Sequence, residues 1–413
     1  MGARIVLYGA GGFSGRLVAR LAQARWKTPS DPELVLAGRR ADALAPLADE
    51  LGLPVRVFAT DDPRGAARVL GEPGVRAVIN AAGPFDRTAL ALARAAIGAG
   101  VHYVDLNGEA DVYRRLDDLA YAAWERGVAL VTAAGHCATT SDVMLDQALA
   151  VLTATGKPAA LGSIRVANAR WRHLSRGSAQ TALRVWREQV VHLQAGKAGS
   201  GGLDAVLDEV HEPLGRVERS FDFGDAPAQT RKALAAAVSL AEVFTARATV
   251  QRHRQRLAGS SAPVSLPVHK IEGYVEIPEG LRGLVHAGAL GGVMQALPGV
   301  RRTLGMAFDN WPEGPNAHEL DEDAHVVALQ IDSASGETLI DWRAKTPSPY
   351  RFSAWCVLQA VQGLLADTSL RGWQTPAAVV GARGRLSVPA QAARPPVLDA
   401  GPFWTGCTVW SQR

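Results

Sequence analysis

The sequence contains little cysteine and little lysine, and each shortage excludes a class of protein. Its three cysteines are far apart and form no C-x-x-C pair, which excludes a disulfide framework and a cysteine zinc site and fits a reducing compartment. Only six of the 44 basic residues are lysines, and the arginines are scattered, without the aromatic-basic stripe of a nucleic-acid-binding protein. The net charge of +4 therefore indicates acidic small molecules at most as ligands, and not nucleic acid.

Long apolar runs are also missing. Residues 283–300 carry little charge, but they are rich in glycine and interrupted by Pro298, which is atypical of a membrane span. The first predicted strand begins four residues into the chain, which leaves no room for a signal or transit peptide. We therefore expect a cytoplasmic protein without an integral membrane segment. At 413 residues the chain is expected to form about two or three globular domains.

What the sequence does contain, at its very beginning, is a glycine-rich turn between a strand and a helix. The apolar run at residues 4–8 leads into Gly9, Gly12 and Gly15, and an apolar-periodic helix follows. In dinucleotide-binding folds such glycines allow, in order, a tight turn, close approach of the backbone to a pyrophosphate, and packing of the helix on its strand. The N–H groups of the helix N-terminus would hold the phosphates. The predicted cofactor contacts here are Gly9, Gly12, Phe13, Ser14 and Gly15.

The end of the second strand indicates which dinucleotide is bound. NAD-specific folds usually end this strand with Asp or Glu, which accepts hydrogen bonds from the ribose 2′-hydroxyl. Here residues 34–38 are followed by Arg39 and Arg40, and no carboxylate appears before Asp42. A guanidinium can clamp a 2′-phosphate with two hydrogen bonds. We predict NADP(H) as the cofactor, with Arg39 and Arg40 at the 2′-phosphate. In the alternative interpretation both are solvated charges at a strand end.

Strands and helices alternate through residues 1–142. Six apolar strands separated by helices predict an α/β fold, a Rossmann-like doubly wound parallel sheet. Ligands of such sheets bind beyond the carboxyl ends of the strands. Asp61 after strand three, and Ala82 and Gly83 after strand four, are therefore predicted to contact the cofactor. Asp61 could instead cap a helix, and Gly83 with Pro84 could form a simple turn.

Three side chains in this domain are candidate proton donors: Tyr8, Tyr103 and His136. Tyr103 precedes a polar loop at residues 105–109, and His136 lies in the loop after strand six. His136 and Cys137 are adjacent but lack a visible third member, so only His136 is considered, with a plain loop histidine as the alternative. Thr139 and Asp142 have capping-box spacing, which predicts that a helix over residues 143–152 begins after them. No metal site is predicted.

Beyond residue 142 the regular alternation stops. Strand-like segments among long helices predict an α+β domain over residues 143–413, which would bind substrate or dimerise, so a homodimer is one expected state. The strands are predicted at 161–167, 270–277, 324–331 and 337–343, and the helices at 180–193 and 229–256.

Residues 171–178 connect a strand to a helix. Here Arg172 and Arg176 are candidates for binding an anionic part of the substrate at the helix N-terminus. A capped helix with solvent-exposed arginines is the alternative interpretation.

Several segments together resemble the saccharopine dehydrogenase-like NADP-binding oxidoreductases, including the trans-acting enoyl reductase branch. The resemblance is strong at residues 6–18, 36–39, 80–85 and 102–109, and weaker at 175–178, 312–316 and 349–377. It implies that a helix within residues 349–380 returns to the Rossmann domain. One departure matters: after strand six the family has Gly, an aromatic residue and Asp, whereas Gly135 is followed here by His136 and Cys137.

Three functions are open at this point. The first is an NADPH-dependent reductase of an enoyl or carbonyl group in a small or acyl-type substrate. The second is imine or secondary-amine oxidoreduction, as in saccharopine reductases, where a substrate carboxylate would need Arg172 or Arg176. The third is NADP(H) binding without catalysis, which the missing aspartate of the sixth loop favours.

Overall fold

The computed structural model describes residues 2–154, 161–185, 189–196, 207–258, 267–281, 283, 310–389 and 397–412. The chain divides into two compact units. The N-terminal unit consists of Met1–Thr139 and Tyr350–Gly381, and the second unit of Thr140–Pro349 and Ala382–Arg413.

The first 154 residues alternate strand and helix. In chain order the elements are β1 (Arg4–Tyr8), α1 (Phe13–Arg25), β2 (Glu33–Gly38), α2 (Ala41–Leu51), β3 (Val55–Val57), α3 (Pro63–Leu70), β4 (Val75–Asn80), α4 (Phe85–Ala99), β5 (His102–Asp105), α5 (Ala110–Asp117), α6 (Ala120–Glu125), β6 (Ala129–Val131) and α7 (His136–Ala154).

The remaining elements are mostly strands. They are β7 (Leu161–Asn168), α8 (Arg176–Val185), β8 (Val190–Ala195), β9 (Leu207–Glu212), β10 (Glu218–Asp222), β11 (Lys232–Ala237), α9 (Ala241–Ala258), β12 (Val268–Glu276), α10 (Ala317–Glu322), β13 (His325–Ser333), β14 (Thr338–Thr346), α11 (Pro349–Ala366), β15 (Gly372–Trp373), α12 (Pro376–Val380), β16 (Leu386–Ser387), β17 (Asp399–Ala400) and β18 (Thr408–Ser411).

The sheet of the N-terminal unit is parallel and has the order β15-β6-β5-β4-β1-β2-β3. The strand order reverses at β1, between β2 on one side and β4 on the other, which is the topological switch point where doubly wound sheets bind ligands. The prediction of a Rossmann-like doubly wound sheet is confirmed.

This sheet is buried on both faces, because successive residues of a strand point to opposite sides. On β1, Ile5 and Leu7 join a core with α1, α2 and α11, whereas Val6 and Tyr8 join a second core with α3, α4 and α5. Helix α11 therefore packs on the Rossmann sheet, although more than 200 residues separate it from β6 along the chain.

The second unit contains a mixed nine-stranded sheet. Its main path is β10-β11-β12-β7-β13-β14-β18, with β8 paired to β12 and β9 to β8. Strands β7 and β12 run parallel, and the other pairs are antiparallel. The predicted α+β character of this region is confirmed.

Two predicted helices of this unit are wrong in extent. The segment 180–193 contains the end of α8 and then strand β8, and the segment 229–256 contains strand β11 before α9. The sequence of β11, Lys-Ala-Leu-Ala-Ala-Ala, has a helix-forming composition. However, β11 pairs with β10 and β12, and these tertiary partners override the local preference.

The predicted cap of the helix after strand six is also wrong. Helix α7 begins at His136, and the backbone N–H of Thr139 donates to the Gly135 carbonyl (3.0 Å), so Thr139 and Asp142 lie inside the helix. The Asp142 carboxylate accepts a hydrogen bond from the Thr249 hydroxyl (2.5 Å) and thereby connects α7 to α9.

Among the described helices we find none with the length and apolar character needed to cross a membrane. The charge-poor segment at residues 283–300 lies outside the described residues, apart from Gly283.

Candidate functional site

The glycine turn between β1 and α1 is shaped by three very close backbone contacts. Gly9 has φ +85°, and a Cβ at this position would lie 2.6 Å from the backbone nitrogen of Ala82. A Cβ on Gly15 would lie 2.2 Å from the Gly9 carbonyl oxygen. Gly11 was not singled out from the sequence, but its Cβ would lie 2.7 Å from the Ala43 carbonyl oxygen. The fold itself therefore requires glycine at all three positions.

Gly12 differs from these three glycines. The nearest atom to a Cβ at Gly12 is the Gly9 carbonyl oxygen, at 3.4 Å, which is an ordinary van der Waals contact. Packing within the protein therefore does not demand a glycine here. A ligand that approaches the backbone would demand it, and contact of Gly12 with a pyrophosphate stays a prediction.

The N-terminus of α1 supplies donors beside Gly12. The first helical hydrogen bond runs from the Arg16 N–H to the Gly12 carbonyl (2.9 Å). The N–H groups of the preceding helical residues have no acceptor within a helix, and they carry its positive dipole end. The ring of Phe13, the first residue of α1, packs edge-on against Tyr350 of α11 (5.2 Å between centroids). Phe13 and Ser14 thus lie at the predicted phosphate site.

At the end of β2, Arg39 and Arg40 are exposed. Arg40 approaches Asp42, with 3.6 Å between Nε and Oδ1, and both side chains are largely exposed to solvent. Burial raises the pKa of the Tyr8 phenol, and the nearby positive charge of Arg39 opposes that rise. Arg39 therefore lies near the end of β1, next to the switch point.

The predictions for Tyr8 and Asp61, on the β1–β3 side of the sheet, can also be compared with the structure. The Tyr8 hydroxyl faces the Phe58 carbonyl (3.4 Å), beyond the end of β3, with Arg39 and Asp61 close enough to influence its pKa. This is the side predicted for the adenosine ribose, so Tyr8 is a poor candidate for the proton donor. The cap of α3 is Asp62, whose carboxylate accepts from the Gly65 N–H (3.0 Å). Asp61 is exposed and does not cap the helix.

The loop after β4 is held by side chains. The N–H of Ala82 donates to the Asn80 side-chain oxygen (3.1 Å), and the Thr88 hydroxyl donates to the Ala82 carbonyl (2.6 Å). Gly83 follows, in a cis peptide bond to Pro84, and beyond its chain neighbours no atom of the described residues lies within 4 Å of where its Cβ would be. Ala82 is therefore fixed on both sides, and Gly83 is open to a ligand.

Tyr103 and Asp105 of β5 point to one side of the strand and are fully buried. The Tyr103 hydroxyl donates to the Asp105 carboxylate (3.0 Å) and accepts from the Asn80 amide (3.1 Å). Burial raises the pKa of the phenol well above its usual value, and the Asp105 charge adds to that rise. The Tyr103 hydroxyl therefore has partners inside the protein, and its role as a proton donor stays a prediction.

Asp105 is the acceptor at the end of this chain of hydrogen bonds. Its carboxylate accepts from the backbone N–H groups of Asn107 and Ala133 (both 2.9 Å) and from the Thr132 hydroxyl (2.8 Å). Burial raises its pKa to about 6, although these hydrogen bonds favour the charged form.

His136 begins α7 and is 1% exposed. Its backbone N–H donates to the Ser353 hydroxyl (3.0 Å), its Nδ1 lies 3.2 Å from the Cys137 sulfur, and its ring packs edge-on against Phe352. Ser353 was missed from the sequence. The resemblance to a family with a returning helix is the signal that could have directed attention to the first turn of α11.

The two arginines predicted for substrate binding belong to the second unit, and both are exposed. The Arg176 guanidinium donates to the Trp311 carbonyl through Nε (3.1 Å) and Nη2 (2.9 Å). The Ser175 hydroxyl accepts from the Ser178 N–H (3.2 Å) and caps α8. The alternative of a capped helix therefore applies to Ser175, while substrate binding by Arg172 or Arg176 stays a prediction.

Comparison with known proteins agrees with this geometry. Residues 5–147 match the family model of the saccharopine dehydrogenase NADP binding domain. The trans-acting enoyl reductase of Mycobacterium ulcerans is 35% identical over 147 residues, which are 34% of this chain and 34% of that protein. The trans-acting enoyl reductase of Mycobacterium leprae is 33% identical over 150 residues, 35% of this chain and 34% of that protein. The matches thus span about a third of the length of these relatives.

Solved structures show the same fold over most of the chain. Apo saccharopine dehydrogenase (L-Glu forming) from Saccharomyces cerevisiae superimposes with a TM-score of 0.56 at 14% identity, covering 91% of this chain and 94% of that one. Homospermidine synthase from Legionella pneumophila gives 0.53 at 12% identity, covering 92% and 88%. Residues 5–147 of this chain are thus similar to the saccharopine dehydrogenase NADP binding domain, and the solved structures share its fold.

Proposed function

We propose that this protein is an NADPH-dependent oxidoreductase that reduces an enoyl or carbonyl group of a small or acyl-type substrate. The observation that carries the proposal is Gly12, the glycine of the turn that protein packing does not require, at the N-terminus of α1. The arginines at the end of β2, with no carboxylate before Asp42, support NADP(H) over NAD(H). The relatives named enoyl reductases support the choice of reaction.

The residues of this chain would bind the two halves of the dinucleotide on the two sides of the switch point, at the carboxyl edge of the sheet. The N–H groups of α1 and the open backbone at Gly12 would hold the pyrophosphate, and Arg39 would pair with the 2′-phosphate. Asp61, at the end of β3, would contact the adenosine half. Ala82 and Gly83 would line the nicotinamide half. Bound NADPH supplies a hydride from its nicotinamide ring.

Reduction of a double bond also consumes one proton, and His136 is our candidate for its source. The imidazole lies beyond the carboxyl end of β6, where its backbone is held by Ser353 and its ring by Phe352. Fixed orientation is what a proton donor needs, because proton transfer depends on geometry before pKa. The second unit would bind the substrate or a second copy of the chain.

The test is NADPH oxidation by the full chain against a panel of enoyl, carbonyl and imine substrates. Turnover of an enoyl or carbonyl compound supports the proposal. Turnover of imines alone would replace it with saccharopine reductase-like chemistry. Stoichiometric retention of NADPH without any turnover would replace it with a binding function.

A further inference from the structure

Four buried polar side chains form a continuous hydrogen-bond chain beneath the loops after β4, β5 and β6. They are Asn80, Tyr103, Asp105 and Thr132, each 0–1% exposed. They come from the ends of three adjacent parallel strands, so the carboxyl edge of the sheet brings them together. The chain connects segments that lie up to 52 residues apart.

When Asp105 is ionised, the direction of every hydrogen bond in this series is determined. An ionised carboxylate only accepts, so the single proton of the Tyr103 hydroxyl is donated to Asp105 (3.0 Å). Tyr103 must then accept from the Asn80 amide nitrogen (3.1 Å), which leaves the Asn80 oxygen to accept from the Ala82 N–H (3.1 Å). The second amide proton of Asn80 faces the Thr88 hydroxyl (3.2 Å), which itself donates to the Ala82 carbonyl. Ala82 is therefore held through both of its backbone polar groups.

At its other end the chain holds the loop that leads to His136. Ala133 has φ +58°, a conformation that L-residues rarely adopt and that costs roughly 1–2 kcal/mol. Its N–H donates to the Asp105 carboxylate (2.9 Å), and the next N–H, of Ala134, donates to the Asp105 carbonyl (2.8 Å). Asp105 thus stabilises an unusual backbone turn three residues before His136.

Burying a carboxylate costs more free energy than burying an apolar side chain, because the charged group loses its hydration. Burial raises the pKa of Asp105 to about 6, which shows that its hydrogen bonds do not fully offset that cost. Both loops that it supports reach the carboxyl edge of the sheet on the β4–β6 side of the switch point, where the nicotinamide would lie.

We propose that Tyr103 and Asp105 are positioning residues that set the Ala82 loop and the Ala133–His136 turn against the nicotinamide half of NADP(H). This inference rests on the proposed function, because it needs a bound dinucleotide. It predicts that the pair matters for the nicotinamide half of the ligand and not for the adenosine half.

The experiment compares two ligands, NADPH and 2′,5′-ADP, which retains the adenosine half and its phosphates but has no nicotinamide. Titrations use the wild-type full chain and the Tyr103→Phe and Asp105→Asn variants. Tyr113→Phe is the matched control. It alters a buried tyrosine of the same unit that takes no part in the hydrogen bonds among Asn80, Tyr103, Asp105 and Thr132, because its hydroxyl accepts from the Trp373 indole (3.1 Å). Thermal unfolding is followed in parallel, and Tyr103→Phe keeps the test available where Asp105→Asn fails to fold.

We expect Tyr103→Phe to weaken NADPH roughly three- to tenfold, the effect of one lost hydrogen bond. Its 2′,5′-ADP affinity should match that of wild type, and Tyr113→Phe should change neither ligand. For a substrate that the wild type turns over, Tyr103→Phe should lower kcat by a larger factor than it raises KM.

Two results overturn the inference. The first is that both variants bind NADPH and 2′,5′-ADP as tightly as wild type, and the second is an equal loss of affinity for both ligands together with a lower melting temperature. Failure of the wild type to bind either ligand would instead overturn the proposed function, and the inference with it.

Discussion

The two sheets of this protein surround their buried carboxylates differently. Asp105 is the last residue of β5, and its donors are backbone N–H groups and hydroxyls, all neutral. Glu272 lies in the middle of β12, with Lys270 Nζ at 2.8 Å and Arg165 Nε at 3.4 Å. Burial raises the pKa of both carboxyls, but at Glu272 the bonded cations more than offset it and the pKa falls below its usual value. Of these two carboxyls, Asp105 at the strand end has a raised pKa and Glu272 a lowered one.

This difference follows from how each sheet is covered. Helices cover both faces of the parallel sheet, so its strands are apolar along their length and polar side chains collect at the strand ends, where ligands bind. In the mixed sheet the residues of β7 alternate: Ile164 and Val166 are apolar, whereas Ser163 and Arg165 are polar and reach Asp332. Polar groups at strand ends are therefore typical of a ligand site, whereas the mid-strand ion pairs pair charges within the sheet.

The strongest test of a ligand site at the strand ends is Gly12→Val. We expect this variant to lose detectable NADPH binding, because the new side chain occupies the open backbone at Gly12 beside α1. Its far-UV circular dichroism and melting temperature should stay close to wild type. Gly15→Ala is the matched control, and it should fail to fold properly, since its Cβ would lie 2.2 Å from a carbonyl oxygen. Unchanged NADPH affinity in folded Gly12→Val would remove the prediction of pyrophosphate contact at Gly12.

The two carboxylates give opposite pH dependences of stability. The raised pKa of Asp105 means that its stabilising contribution is complete below pH 3.8 and is lost as the pH rises to about 6, by up to roughly 3 kcal/mol. The lowered pKa of Glu272 means that its contribution is present above pH 4.5 and is lost as the pH falls.

Urea unfolding between pH 3.5 and about 7 measures both effects. Relative to wild type, Asp105→Asn should gain stability as the pH rises from about 4 to 6, whereas Glu272→Gln should lose relative stability as the pH rises towards 4.5. Slopes of the same sign in the two variants would contradict the comparison between the sheets.

Arg39→Ala tests the choice of cofactor. A charge-assisted hydrogen bond to a phosphate contributes about 1.5–3 kcal/mol, so wild type should bind NADPH roughly ten- to a hundredfold more tightly than NADH. The variant should lose this preference by weakening NADPH alone. Titrations at fixed salt compare it with Arg40→Ala, where we expect a smaller effect because Arg40 lies next to Asp42. Equal weakening of both nucleotides would mean that Arg39 does not contact the 2′-phosphate.

The smallest effect is expected in the second unit, at Arg176. If this guanidinium binds an anionic part of the substrate, Arg176→Ala should raise KM about fivefold, the effect of about 1 kcal/mol, and leave NADPH affinity unchanged. The same two quantities, KM and NADPH affinity, are measured for Arg172→Ala as a comparison. A lower melting temperature with unchanged KM would instead assign Arg176 to its hydrogen bonds with the Trp311 carbonyl.

The Rossmann-like sheet and the glycine turn could be predicted from the amino-acid sequence, which also contains the two arginines after β2. The six predicted strands are all present in the parallel sheet, because short-range signals specify them. Apolar runs, glycines that relieve backbone crowding and helix periodicity all act within a few residues, so they can be interpreted without knowing the partners of a segment.

Which of these residues contact one another depends on the folded chain and could not be predicted. Strand β11 has a helix-like composition and becomes a strand because β10 and β12 pair with it. The Tyr103 hydroxyl is hydrogen-bonded to Asp105 and Asn80, partners that the sequence around Tyr103 does not indicate. Ser353 meets His136 across 217 residues of sequence. Such long-range contacts are made by burial and hydrogen bonding in the folded chain, and no local pattern encodes them.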